Sequence, residues 1–404
     1  MVVHVLDELQ ERGFIKQTTG LDSLRASLDA SPITFYVGID PTADSMHVGH
    51  SIPLMAAWFM QQAGHKVIVI VGGGTAMIGD PSGKTEMRAL ITQQTIAANI
   101  DGMTPQIQRL LNIDGDNGRI VNNAEWILQL NYVHFLRHIG KHFSVNRMLA
   151  AEAYKQRLER GLSFIEFNYQ LMQANDFLEL KQRYNCTLQI GGDDQWGNIL
   201  AGTDLIRRVT ATGAHGLTFP LITTSSGAKM GKTAKGAVWL DPARTSAFDL
   251  YQYWLNVDDK DAGRMLRLFT TLPLERIREL DALQGADVRQ AKRVLAREHV
   301  TRIHGAEAAE QAEQAAKAMV AGKATDDLPS YSIDGLVGAR LYTVLAQAEL
   351  AKSNGEAKRS IKGGAVKVNG DKVHDPQALF LEEWLIDGAA VVSVGKKRAA
   401  RVTT

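Results

Sequence analysis

The sequence predicts an α/β fold. A Rossmann-like parallel-sheet domain carrying a helical insertion comes first, then an all-helical domain and a small α+β domain. Three observations predict it. Ile33–Ile39 reads as a buried strand, Ser51–Gly64 as a helix with apolar residues at Ile52, Leu54, Met55, Ala56, Phe59 and Met60, and Lys66–Val71 as a second buried strand. Strand, helix and strand within about forty residues form a βαβ unit, hence a parallel sheet. Residues 245–322 carry only helical patterns, with Phe248-Asp249-Leu250-Tyr251 opening one helix and the Ala- and Glu-rich Ala306–Val320 forming another. Near the C-terminus, Ala365–Gly370 alternates and ends in Asn369-Gly370, a hairpin signal.

The remaining elements follow in order. Gly72-Gly73-Gly74 succeeds the second strand, where ligands of such sheets sit. Thr104–Leu180 is mainly helical by pattern and holds the insertion. Thr187–Ile190 reads as a further strand closing on Gly191-Gly192, and Trp196–Arg208 as the helix after it. Ala324–Ser330 has linker composition, and Leu341–Lys352 and Glu356–Lys362 read as helices. The expected domains are 1–223, 224–325 and 338–404, with 326–337 as linker.

Composition narrows the function. Of 404 residues, 45% are hydrophobic and 22% charged, ordinary values for a globular protein. No apolar run is long enough to span a bilayer, and the N-terminus lacks the pattern of a secretion signal. The single cysteine, Cys186, excludes an intrachain disulfide and a thiolate zinc cluster, and a cytoplasmic location is expected. The net charge is +1, yet residues 338–404 hold 11 Lys plus Arg against 7 Asp plus Glu. A mildly basic C-terminal module on a mildly acidic body fits either contact with a polyanion or a solvated basic tail.

Two distant segments carry most of the chemistry. His47-Val48-Gly49-His50 puts two imidazoles at i and i+3 of a first helical turn, where unpaired N–H groups and the helix dipole attract anions. A pair of surface histidines is the bland alternative. Lys229-Met230-Gly231-Lys232-Thr233 puts two ammonium groups in a glycine-bearing loop able to close over a leaving pyrophosphate. Alone, it reads equally as a solvated loop.

Gly79-Asp80-Pro81-Ser82-Gly83-Lys84-Thr85 resembles a P-loop but has Ile78 where the first glycine belongs, which excludes a Walker-type NTPase. Asp80 remains a candidate acceptor for an ammonium, or a turn carboxylate, and Lys84 and Arg88 are candidate phosphate contacts. Tyr169, Gln173 and Asp176 share one helical stripe, suited to reading a small polar ligand or to half-buried packing. Tyr36, on the first strand, can reach the same pocket. Gly191-Gly192-Asp193-Asp194-Gln195 closes a strand where a carboxylate can take ribose hydroxyls.

Together these segments resemble class I aminoacyl-tRNA synthetases, most closely their bacterial tyrosine-specific branch. His47–His50 is similar to the HIGH signature and Lys229–Thr233 to the KMSKS loop. Tyr36–Ser45, Gly79–Gly83 and Gly192–Gly197 match supporting segments, and Ser353–Val373 looks like an S4-type RNA-binding module. The resemblance implies that Tyr36 and Asp176 bond a substrate phenol, that Asp80, Tyr169 and Gln173 bind its ammonium, and that Gln195 meets its carboxylate. It implies that Gly38, Asp40, His50, Gly192 and Asp194 surround ATP. Thr42, His47, Lys84, Arg88, Lys229 and Lys232 are implied as phosphate contacts. Val37 and Pro53 depart from relatives whose side chains there bond the ribose. The implied partners are L-tyrosine, ATP with Mg²⁺ as part of the substrate, tRNA(Tyr) and a second copy in a homodimer, with Leu162–Phe167 a candidate contact. No tightly bound cofactor, dedicated metal site or editing domain is expected. Two other readings remain, a tryptophan-specific relative and a catalytically silent RNA-binding protein; the Tyr36/Asp176 pair and the S4-like tail oppose the first, and the retained histidines and lysines the second.

Overall fold

This computed structural model describes residues 3–82, 90–150, 154–155, 158–159, 161–223, 225, 231–233, 236–321, 328–386, 388–395 and 398–404, with the backbone alone for 232, 233, 320 and 321. Contacts divide the chain into two compact units, residues 1–244 with 263–282, and residues 245–262 with 283–404. The sequence boundary at 223/224 differs, because residues 263–282 return to the first unit. Buried Arg12 explains the return: its guanidinium donates to the carbonyls of Arg267 (3.2 Å), Thr270 (3.1 Å) and Leu272 (2.6 Å) and lies 4.2 Å over the Phe59 ring.

The first unit is built on a sheet of β1 (Gln17–Thr18), β2 (Thr34–Ile39), β3 (Lys66–Val71), β4 (Gly118–Asn122), β5 (Cys186–Gly192) and β6 (His215–Phe219), in the order β1-β6-β5-β2-β3-β4. All neighbours are parallel except β1 with β6. The runs Thr-Phe-Tyr-Val-Gly-Ile and Lys-Val-Ile-Val-Ile-Val are buried nearly throughout, the signature of a central strand covered on both faces. From β2 the chain winds outward through β3 and β4, and later from β5 through β6 in the other direction. The β2/β5 boundary is therefore the switch point of the sheet, the place where such folds leave a crevice.

Thr104–Leu180 is mainly helical, as read, but it also holds β4, which the reading did not separate out. The sequence of β4, Gly-Arg-Ile-Val-Asn, is short and only partly buried, and gives little periodic signal. Helix Tyr169–Tyr184 packs beside helix Trp196–Thr210, and both bury Phe177, Leu180, Leu205 and Ile206 in a cluster with Tyr36 and Ile70 of the sheet.

Helix Val48–Gln62 begins three residues before the apolar pattern that marks it. His47 Nδ1 accepts from the Gly49 amide (3.0 Å), while His50 Nδ1 accepts from the His47 amide (3.1 Å). This reciprocal capping box starts the helix at the signature itself.

In the second unit, helices Ala247–Leu255, Val288–His304 and Ala306–Ala321 pack together. Fully buried Trp254 donates to His299 Nδ1 at 3.1 Å, and burial pushes His299 down to about 3, so it is neutral. Strands β9 (Ser330–Ser332), β10 (Val366–Val368), β11 (Asp371–Val373), β12 (Ala389–Val394) and β13 (Arg398–Thr403) form a second sheet in the order β11-β10-β12-β13-β9, while β7 (Lys232–Thr233) and β8 (Gly236–Ala237) pair in the first unit. The β10–β11 hairpin turns through Asn369 and Gly370, both at positive φ. Within the expected linker, residues 330–336 are structured, since β9 pairs with β13 and Ile333 and Leu336 enter the core. The helix expected to run to Lys352 ends at Gln347, with Glu349 in the left-handed region at φ +55°.

Candidate active site

A cleft of about 380 Å³ opens at the carboxyl ends of β2 and β5, on the switch point. Tyr36, Gly38, Asp40 and Thr42 line it from β2 and the loop beyond, and His47 and His50 from the helix start. Tyr169, Gln173 and Asp176 enter from one helix face, Asp80 from the loop after β3, and Gly192, Asp194 and Gln195 from the end of β5. These are the residues the sequence singled out, from segments up to 160 positions apart. Lys84, Arg88 and Lys229 lie outside the described residues, as does the side chain of Lys232.

The inner end is built around Asp176. It is 3% exposed, and accepts from Trp126 Nε1 (2.8 Å) and Asn123 Nδ2 (2.9 Å). Burial pushes its carboxyl up to about 8, against the pull of those two donors. Asn123 is fixed in turn by the Gly74 amide at 2.8 Å and by Thr75 Oγ1 at 3.0 Å. Tyr36 is 1% exposed, packs edge-on against Phe177 at 5.2 Å, and its Oη has no hydrogen-bond partner among the described residues. Burial holds its phenol well above the usual range. An orphaned hydroxyl beside a buried carboxyl is a poor core and a good receptor for a ligand hydroxyl.

Further out, Asp40 accepts from Thr75 Oγ1 (2.8 Å) and from Tyr169 Oη (2.9 Å). It therefore joins the amino-acid and nucleotide sides expected from the sequence. Gly72 lets it approach, since a Cβ there would lie 2.0 Å from Asp40 Oδ1. Asp80 accepts from the Ser82 amide (2.9 Å) and Gln195 Nε2 (2.6 Å). Buried Asn198 donates to Gln173 Oε1 (3.0 Å) and Gln195 Oε1 (3.2 Å), tying the two amides together.

At the mouth, the His47 and His50 rings stack 3.9 Å apart at 18°. Each uses Nδ1 as a backbone acceptor, so the ring proton sits on Nε2, which is a donor. Gly231, Val238 and Leu240 lie along this helix start. Val238 donates to the Gly231 carbonyl (2.8 Å), Val48 to the Val238 carbonyl (2.9 Å) and Leu240 to the Met46 carbonyl (2.8 Å). Gly231, the described glycine of the second signature, lies beside the first.

Sequence reasoning missed Asn123, Trp126, Asn198 and Trp239. Asn198 carried a signal, standing one turn after Gln195. Asn123 and Trp126 follow β4, a strand the sequence reading did not single out.

Such a site, two stacked imidazoles at a helix start on a switch-point cleft, is that of a nucleotide-using α/β enzyme. Residues 28–321 match the family model of tRNA synthetases class I (W and Y), and residues 321–401 that of the tyrosine--tRNA ligase SYY-like C-terminal domain. The chain belongs to the class I tRNA synthetases of the tryptophan and tyrosine type. It is 49% identical over 403 residues to the tyrosine--tRNA ligase of Clostridium beijerinckii, covering 99% of both chains, and 47% identical over 404 residues to that of Clostridium perfringens, again with 99% of both covered. It is also similar to a C-terminally truncated mitochondrial tyrosyl-tRNA synthetase of Aspergillus nidulans, at 31% identity and TM-score 0.69 over 78% of this chain and 93% of that one.

Proposed function

We propose that this chain is a tyrosine–tRNA ligase. It activates L-tyrosine with ATP, giving tyrosyl-adenylate and pyrophosphate, and then transfers tyrosine to the 3′ end of tRNA(Tyr). The observation that carries the amino-acid assignment is the buried pair of Tyr36 and Asp176, the latter braced by Trp126 and Asn123. The pair takes the substrate phenol. Asp80, Tyr169 and Gln173 take its ammonium, and Gln195 its carboxylate. Gly38, Asp40, Gly192 and Asp194 surround the adenosine of ATP, which enters with Mg²⁺ as part of the substrate.

The tyrosine carboxylate attacks the α-phosphorus, and pyrophosphate leaves. Catalysis is positioning plus stabilisation of charge on the phosphate oxygens. The Nε2–H groups of His47 and His50 donate to those oxygens, helped by Thr42, Lys84, Arg88, Lys229 and Lys232. In the second step the ribose 2′ or 3′ hydroxyl of the terminal tRNA nucleotide attacks the acyl carbon and AMP leaves. The C-terminal module, taken as S4-like, contacts tRNA.

The enzyme works as a homodimer in the cytoplasm. Support for the dimer is a run of exposed large apolar side chains in the insertion, with Phe164 70% and Val133 68% exposed, beside Tyr132 and Leu136. No described helix is long and apolar enough to cross a membrane. ATP–pyrophosphate exchange with tyrosine, phenylalanine and tryptophan tests the assignment. Exchange confined to tyrosine supports it, and exchange driven by tryptophan overturns it.

A further inference from the structure

We propose that Trp239 is a positioning residue for the nucleotide half of the site, and that Asp44 and Arg244 form the clasp that keeps it there. The inference rests on the reading of the cleft as an ATP site. Trp239 lines the cleft next to His47, with ring centroids 6.4 Å apart and planes tilted by 54°. The two residues also face each other in an antiparallel β-bridge.

On the other side, the Arg244 guanidinium lies 3.6 Å over the indole. The same guanidinium is paired with the Asp44 carboxylate, 200 residues away in sequence. The Asp241 amide donates to Ser45 Oγ at 3.2 Å, next to this ion pair. Segment 238–244 is thus strapped onto segment 44–48 by backbone bonds in the middle and by a cation–π and ion-pair clasp at the end.

The clasp lies outside the cleft, with Asp44 64% and Arg244 35% exposed at the side chain, so it touches no reacting atom. A surface ion pair alone contributes little to stability. Its consequence is directional. The strap continues through Val238 to Gly231, so it holds Gly231 against the first signature, and the indole fixes the wall beside His47. None of these contacts reaches the Asp176 end of the cleft. Loosening the strap therefore weakens handling of ATP and leaves handling of tyrosine alone.

The test uses the full chain with Trp239→Phe, Trp239→Ala, Arg244→Met, Asp44→Arg and the exchange Asp44→Arg/Arg244→Asp. In ATP–pyrophosphate exchange, Trp239→Ala and Arg244→Met should each raise KM for ATP about fivefold or more while KM for tyrosine stays within about twofold. Trp239→Phe should recover most of the loss, and the charge exchange should recover most of what Asp44→Arg loses. An unchanged KM for ATP in both Trp239→Ala and Arg244→Met overturns the proposal, as does a parallel rise in KM for tyrosine. If Trp239→Ala does not fold, Arg244→Met decides with the indole intact. A wild-type chain that exchanges with no amino acid would sink the functional reading instead. Direct ATP titration of Arg244→Met then decides this proposal separately: weaker ATP binding supports it and unchanged binding overturns it.

Discussion

Gly231 lies against the amide of Gly49. A Cβ built on Gly231 would come within 3.2 Å of that nitrogen and 3.8 Å of His47 Nδ1, and its φ of +77° is in the left-handed region. Gly231 thus meets the first helical turn at a spot where a Cβ would be crowded. A larger residue meets two obstacles, a backbone strain of about 1–2 kcal/mol and a contact with rigid backbone. Gly231→Val should lower the rate of adenylate formation about tenfold or more, with tyrosine affinity unchanged. Stopped-flow single-turnover measurements check it.

Discrimination between tyrosine and phenylalanine is expected to come from Tyr36 and Asp176. Phenylalanine would leave both buried groups unmatched, at about 1–3 kcal/mol each. Asp176→Ala should therefore erode the ratio of kcat/KM values for the two amino acids by about tenfold or more. Trp126→Phe removes one donor to Asp176 and should raise KM for tyrosine with little change in kcat. Exchange kinetics with both amino acids measure each effect.

Asp176 also makes stability depend on pH. Its carboxyl is pushed up to about 8 in the folded protein, against about 4 in an unfolded chain. Between these values the folded state binds the extra proton, so this group's contribution falls as pH rises, by at most about 1.4 kcal/mol per pH unit. Below about pH 4 and above about pH 8 it is flat. Asp176→Asn removes this dependence. Its melting temperature relative to wild type should rise steadily from pH 5 to pH 8, whatever the constant cost of the altered hydrogen bonds. A difference independent of pH would contradict the burial argument.

The exposed apolar residues of the insertion should hold the dimer. Val133→Asp with Phe164→Asp buries two charges at the contact, and should shift the chain to monomer at micromolar concentration. Sedimentation velocity reads this directly. A dimer that survives both changes would move the interface elsewhere.

Much of the first unit was legible in the sequence because its central strands are covered on both faces. Ile33–Ile39 and Lys66–Val71 announce themselves as continuous apolar runs, and the structure keeps them within a residue. The Tyr169/Gln173/Asp176 stripe was legible because helical spacing is local. What the sequence hid is long-range. Nothing in the spacing of Arg12 says that it recovers residues 263–282, and nothing near Asn123 or Trp126 says that they brace Asp176. The helix start at His47–His50 was legible from the i, i+3 spacing, but its cap was not: histidines there do the work usually given to Ser, Thr or Asp. The Ala389–Val394 strand carried an apolar run yet was not read.

The direct test of convergence on one triphosphate is the single-turnover rate of tyrosyl-adenylate formation in His50→Ala and Lys232→Ala. Both variants should lose about 10²-fold or more in rate, while their dissociation constants for tyrosine stay at the wild-type value. Adenylate formation at the wild-type rate in Lys232→Ala would contradict the account.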